Sequence, residues 1–311
     1  RDFCLSRGLG DVYKRQLFIY CVSSCRKQVD KGFEMTVDLS ISNPYLPMSV
    51  LVDTIESVRL QLPSPYFWGM VDNVISKDSC YYISDRKQEM AFRFSKNGTF
   101  LNAIGQRGEG PGEYREMDSF FVGKDCVYVC DMSKRTIYSY SFDGKFLHSL
   151  SFPYSLVFND VVELPDGRFL CHRPSQSENC KGLWILDQKG RRVKNLLEYE
   201  KGTPCKNSYW NTLCAQEDGT IKIYNPVDGS YYQYDAVNDT VVRTMRQKSN
   251  LPMLADFHCS DRELYETKEE CTYSLFTVDG KNLVFSLWSF NSPNKLSLIH
   301  ISEPTRQAEI S

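Results

Sequence analysis

Self-similarity at a fixed spacing of 46 residues constrains this chain more than any other feature of its sequence. Residues 72–104 align with residues 118–150 without a gap. Cys80 then falls on Cys126, Tyr82 on Tyr128, Asp85 on Asp131 and Phe92 on Tyr138. Phe94 falls on Tyr140, Gly98 on Gly144, Phe100 on Phe146 and Leu101 on Leu147. A third copy at the same spacing brings in Trp184, Gly190 and Val193. A fourth, after a two-residue insertion, places Tyr232 on Trp184, Asn238 on Gly190 and Val241 on Val193. Periods of about 20 to 50 residues belong to solenoids, propellers and arrays, so the chain is built from stacked units.

Each unit reads as four short strands. In the second copy they cover roughly residues 119–122, 125–130, 136–142 and 145–151. Ile137 and Ser139 alternate with Tyr138 and Tyr140, the period of two that a strand imposes. Asn97-Gly98 and Asp143-Gly144 mark the last hairpin of their copies, where a tight turn needs the positive φ that glycine adopts freely. Aromatic residues make up 13% of the chain, a composition that suits strands and excludes intrinsic disorder. Four strands repeated in this way form a β-propeller blade, because radial packing buries both sheet faces and leaves short edges. The expected fold is therefore all-β, a propeller of four-stranded antiparallel blades. Blades are expected near residues 66–105, 118–151, 157–198 and 207–247, with a partial fifth near 257–291. Alternating Phe33, Met35, Val37, Leu39 and Ile41, then Val58, Leu60 and Leu62, predict strands ahead of the first blade. The series Phe92, Tyr138, Trp184 and Tyr232 is expected to form a stacked inter-blade core; a cofactor or sugar platform is the alternative.

The ends follow a different logic. Residues 1–16 and 295–311 continue none of these patterns and read as non-native junction sequence. Residues 17–25 form an apolar run ending Val22-Ser23-Ser24-Cys25, too short to span a bilayer. The run resembles a bacterial lipobox, which would make Cys25 the lipidated first residue of the mature protein; a buried strand start with an incidental cysteine is the alternative. Residues 26–45 then serve as tether and first strand, and residues 46–294 as the propeller. Six units starting at Tyr66 need more sequence than follows, so the propeller is expected to be truncated.

The segment from Phe94 to Tyr114 carries a family resemblance. Its Ile104-Gly105 strand end runs into Gly108-Glu109-Gly110-Pro111-Gly112-Glu113-Tyr114. This is similar to bacterial six-bladed β-propeller proteins with NHL-type and TolB-like repeats. Asp85 and Asp131 match the aspartate of the NHL pattern, whereas Ser177, at the same spacing, does not. The resemblance implies six blades in the intact family, about four to five of them present here. It says little of function, because propellers host enzymes, receptors and scaffolds alike.

Chemistry is sparse. Lys plus Arg number 37 against 39 Asp plus Glu, with no long run of one sign, which excludes a dedicated nucleic-acid surface. Twelve cysteines form no Cys-x-x-Cys pair, and four scattered histidines, His148, His172, His258 and His300, supply no zinc or catalytic constellation. Cys80 and Cys126 are expected to be buried free thiols. Residues 105–112 suggest an anion cradle, yet they lack the Gly-Lys-Ser/Thr ending of a phosphate loop and read more simply as an inter-blade connection. Arg107, Glu109, Glu113, Tyr114 and Arg115 form the densest polar cluster and are the candidate ligand-binding residues. Glu109 and Glu113 sit on one loop, which disfavours a glycosidase-type acid/base pair. Asp85 and Asp131 are the only candidate ligands for a metal, Ca²⁺; the alternative is that each accepts amide hydrogen bonds in its own turn. No nucleophile motif appears, so no catalytic residue is assigned.

The expected function is a non-catalytic lipoprotein of the bacterial cell envelope, periplasmic or surface-exposed. Its propeller face would bind a protein, peptide or glycan, and it would meet the membrane only through its lipid. A propeller enzyme, either a polysaccharide hydrolase or lyase or an NHL-like metal-dependent lyase, is the alternative. A purely architectural envelope module is a third reading.

Overall fold

The computed structural model describes residues 33–37, 54–174, 182–198, 212–216, 219–225, 228–249, 252, 272–278, 282–289 and 296–302. Four antiparallel four-stranded sheets follow one another along the chain and fan as blades of a β-propeller. Blade 1 comprises β2 (Val71–Lys77), β3 (Cys80–Asp85), β4 (Met90–Ser95) and β5 (Phe100–Ile104). Blade 2 comprises β6 (Ser119–Val122), β7 (Val127–Asp131), β8 (Thr136–Tyr140) and β9 (Phe146–Ser151). Blade 3 comprises β10 (Asp160–Glu163), β11 (Phe169–Arg173), β12 (Gly182–Leu186) and β13 (Arg192–Leu197). Blade 4 comprises β14 (Leu213–Ala215), β15 (Ile221–Asn225), β16 (Ser230–Asp235) and β17 (Thr240–Ser249). The first strands β2, β6, β10 and β14 touch in succession, so they are innermost. No helix occurs among the described residues.

Alternation explains why the middle strands are apolar throughout. Val127, Val129, Tyr138 and Tyr140 of blade 2 pack towards blade 1, joining Tyr82, Ala91 and Ile104. Cys126, Tyr128, Cys130 and Ile137 point the other way and meet Phe169, Cys171, Trp184 and Leu186 of blade 3. Leu183 and Ile185 then face Ile221 and Ile223 of blade 4. Of the aromatic series expected in an inter-blade core, Tyr138, Trp184 and Tyr232 lie in successive inter-blade layers, whereas Phe92 packs on the face of blade 1 turned away from blade 2. Period-two geometry forces this, because equivalent positions point to the same side of every blade. Cys80 and Cys126 are buried free thiols in different layers, with blade 2 between them.

Other expectations shift. Val58, Leu60 and Leu62 form no strand; Leu60 and Leu62 instead pack on Phe92 and Phe94 of blade 1. Pro63 and Pro65 follow at once, and neither has an N–H to give to a ladder. In blade 4 the positive φ of the last hairpin falls on Asp239, at 54°, and not on Asn238. Beyond β17, β18 (Thr272–Val278), β19 (Asn282–Ser289) and β20 (Leu296–Ser302) form a separate three-stranded sheet. β20 lies in the segment set aside above. β1 (Phe33–Val37) adds a fifth strand to blade 4, parallel to β17 with Phe33 opposite Met245. Cys25, residues 1–32, His258 and Ser177 lie outside the described residues.

Candidate functional site

Antiparallel alternation puts the blade-to-blade loops and the second-to-third-strand turns on one face of the propeller. That face carries residues 105–118, Asp85 and Asp131. The two aspartates end β3 and β7. Asp85 accepts amide hydrogen bonds from Gly69 at 2.6 Å, Met70 at 3.1 Å, and Lys87 and Gln88 at 3.0 Å. Asp131 accepts from Arg115 at 2.7 Å, Glu116 at 3.4 Å and Lys134 at 2.8 Å, and from the Ser133 hydroxyl at 2.6 Å. Each carboxylate thus clasps its own turn to the chain just ahead of the blade's innermost strand. Burial opposes ionisation of both, but these hydrogen bonds outweigh it and hold both below the usual carboxylate range. Among the described residues no group of three His, Cys, Asp or Glu is placed to hold a metal.

Strand register locates the same position in blades 3 and 4. Phe92, Tyr138, Trp184 and Tyr232 pair with Ile83, Val129, Cys171 and Ile223. Two residues on stand Asp85, Asp131, Arg173 and Asn225. Ser177 is therefore not the counterpart of Asp131; the turn after β11 is longer than the one after β7. Arg173 inverts the clasp, its guanidinium donating to the Val157 carbonyl at 3.3 Å.

The candidate ligand-binding residues come together on the loop between blades 1 and 2, but most are internally engaged. Tyr114 is fully buried, its hydroxyl donating to the Glu89 carbonyl at 2.7 Å, and burial pushes its pKa well up. The Tyr140 hydroxyl donates to the Gly112 carbonyl at 2.7 Å. Glu109 is shared by Arg115 at 3.1 Å and Lys134 at 3.2 Å. Lys134 also donates to the carbonyls of Gly108 and Glu113, at 3.0 and 3.2 Å. Glu113 folds back into the loop, accepting from the Gly110 amide at 2.8 Å and from the Gln106 side-chain amide. The Gly110 bond leads in holding Glu113 below the usual carboxylate range, as Arg115 does for Glu109. The glycines make this possible: a Cβ on Gly108 would lie 1.9 Å from Glu113 Oε2. Arg107 is exposed and makes no side-chain hydrogen bond or ion pair among the described residues.

One buried cluster escaped the sequence reading. His172, Asp160 and Thr212 meet between blades 3 and 4, none more than 8% exposed. His172 Nδ1 lies 2.6 Å from Thr212 Oγ1, whose hydroxyl reaches Asp160 Oδ2 at 3.4 Å; Asp160 also accepts the Leu213 amide at 2.8 Å. Threonine stands between acid and imidazole, whereas a nucleophilic triad needs the imidazole in the middle and a substrate approach. The cluster is a latch between blades. Burial drives Asp160 up to about 6 and His172 down to about 3, leaving the imidazole neutral. The signal in the sequence is His172, the next-to-last residue of β11, directly after the strand's apolar start.

Comparisons with known proteins place the chain beside other folded proteins at low identity. One solved structure, a putative exported protein from Bacteroides fragilis, is 18% identical with a TM-score of 0.67, covering 86% of this chain and 80% of that one. A DUF4221 family member from Bacteroides vulgatus is 11% identical with a TM-score of 0.45, covering 79% and 84%. Virginiamycin B lyase from Staphylococcus aureus is 10% identical with a TM-score of 0.42, covering 77% and 72%. The first likeness bears on the fold alone, and the other two carry no inference. A search of curated proteins finds no match. A family profile described as a domain of unknown function, DUF4934, matches residues 34–306, so this chain belongs to the DUF4934 family.

Proposed function

We propose that this chain is a non-catalytic, exported β-propeller that binds a protein, peptide or glycan through the face carrying residues 105–118. The observation that carries the reading is the state of the polar groups on that face. Asp85, Asp131, Glu109 and Glu113 are committed to hydrogen bonds and ion pairs that hold the fold, and Arg107 alone of the candidate residues makes no side-chain hydrogen bond or ion pair among the described residues. An acid/base enzyme needs groups within reach of substrate whose pKa lies near working pH. Asp85, Asp131, Glu109 and Glu113 are pulled the other way. Burial raises Glu89 and Asp118 on the same face, but each is tied to the fold by a backbone amide, that of Met117 and Met132 respectively, and the buried His172 latch is closed to ligands.

The apolar run 17–25 with its lipobox-like ending at Cys25 supports export and a lipid anchor, and the likeness to a putative exported protein from Bacteroides fragilis supports an envelope location. The test uses immobilised full-length protein with glycan and peptide arrays and envelope extracts, beside Arg107→Glu. Specific capture by the wild type that Arg107→Glu loses is the expected result. Turnover of a polysaccharide by purified protein, or capture indifferent to Arg107, would refute it.

A further inference from the structure

The loop between blades 1 and 2 folds one of its own carboxylates back onto donors of the same loop. The Gly110 amide and the Gln106 side-chain amide converge on one carboxylate, that of Glu113. The donors are split between its two oxygens: Gly110 serves Oε2 and Gln106 serves Oε1. That division matches a planar carboxylate better than a tetrahedral phosphate. Gly108 and Gly110 present no side chain to the occupant, and Lys134 lies behind it, bonded to the Gly108 and Glu113 carbonyls. The cradle is only half-buried, and the unpaired Arg107 guanidinium belongs to the same loop.

We propose that residues 106–110 form a recognition site for a ligand carboxylate, and that Glu113 occupies it as an internal stand-in which an acidic ligand displaces. The inference deepens the binding reading above and rests on it for its biological meaning, but not for its test. Displacement exchanges one carboxylate for another, with no bond made or broken. Glu113 is tethered in place and competes at high effective concentration, so the intact protein takes free carboxylates weakly. An acidic ligand that also engages Arg107 and the surrounding face overcomes that competition.

The test is amide NMR of the full chain, titrated with acetate, D-glucuronate, N-acetylglutamate and inorganic phosphate. Glu113→Ala empties the cradle, and the amides of Gly108, Glu109 and Gly110 should then shift with acetate at an affinity about tenfold or more above wild type, phosphate binding less well. Glu113→Gln keeps a weaker, uncharged occupant and should fall between the two; it carries the test alone if the alanine variant does not fold. D-glucuronate and N-acetylglutamate separate an acidic saccharide from an acidic peptide as the source of the group. Folded variants whose amides ignore every carboxylate, or a wild type that responds as strongly as Glu113→Ala, would overturn the proposal. Acetate binding in Glu113→Ala with no partner captured by wild type would sink the broader binding reading and leave the cradle standing.

Discussion

Single side chains on the loop-bearing face do the work that a sequence comparison mistakes for chemistry. Asp131 gathers four donors, and its loss leaves three backbone amides unpaired. Asp131→Ala should therefore destabilise by about 2 kcal/mol, read from urea unfolding, as several unmade hydrogen bonds would. The folded pKa of Asp131 lies below the ordinary 3.8, so its contribution is whole above that value and fades as pH falls through the folded value. His172 behaves differently. Folded near 3 against an ordinary 6.5, it refuses a proton that the unfolded chain accepts, so stability falls as pH drops below 6.5. Asp160, near 6 against 3.8, takes a proton that the unfolded chain lacks, so acidification between those values stabilises. The two nearly offset. His172→Gln removes only the first, and its urea midpoint should rise from about pH 7 to about pH 5, while the wild type stays nearly flat.

Strands and turns were largely legible because each blade must bury both faces and reverse direction in few residues. Val127, Tyr128, Val129, Cys130 and Asp131 are all buried, and such a run reads directly from the sequence. Turn length was not legible. A fixed spacing hid the longer turn after β11, and with it Arg173. The site was legible only in part: residues 105–115 do converge, but a one-dimensional pattern cannot show that Glu113 returns to its own loop. Trp184, fully buried between blades 2 and 3, should cost about 3–5 kcal/mol as Trp184→Ala, whereas Leu147→Ala, 50% exposed on β9, should stay within about 0.5 kcal/mol. Gly112 combines φ of 74° with a Cβ position 2.4 Å from Phe146, so Gly112→Ala should lower the thermal midpoint more than Gly219→Ala, where φ is 83° and the space is open.

For the molecule as a whole, the claim on which the rest depends is that equivalent sheets turn about a shared axis. Leu101, Leu147 and Val193 occupy one position on the outermost strands of blades 1, 2 and 3, and all are exposed. Spin labels can be placed there in pairs without disturbing a core. Blades that fan about an axis place these points on an arc. Pulsed electron–electron resonance should then give equal Leu101-to-Leu147 and Leu147-to-Val193 distances, with the Leu101-to-Val193 distance clearly shorter than their sum. A Leu101-to-Val193 distance equal to that sum would describe sheets stacked in a line, and would contradict the propeller.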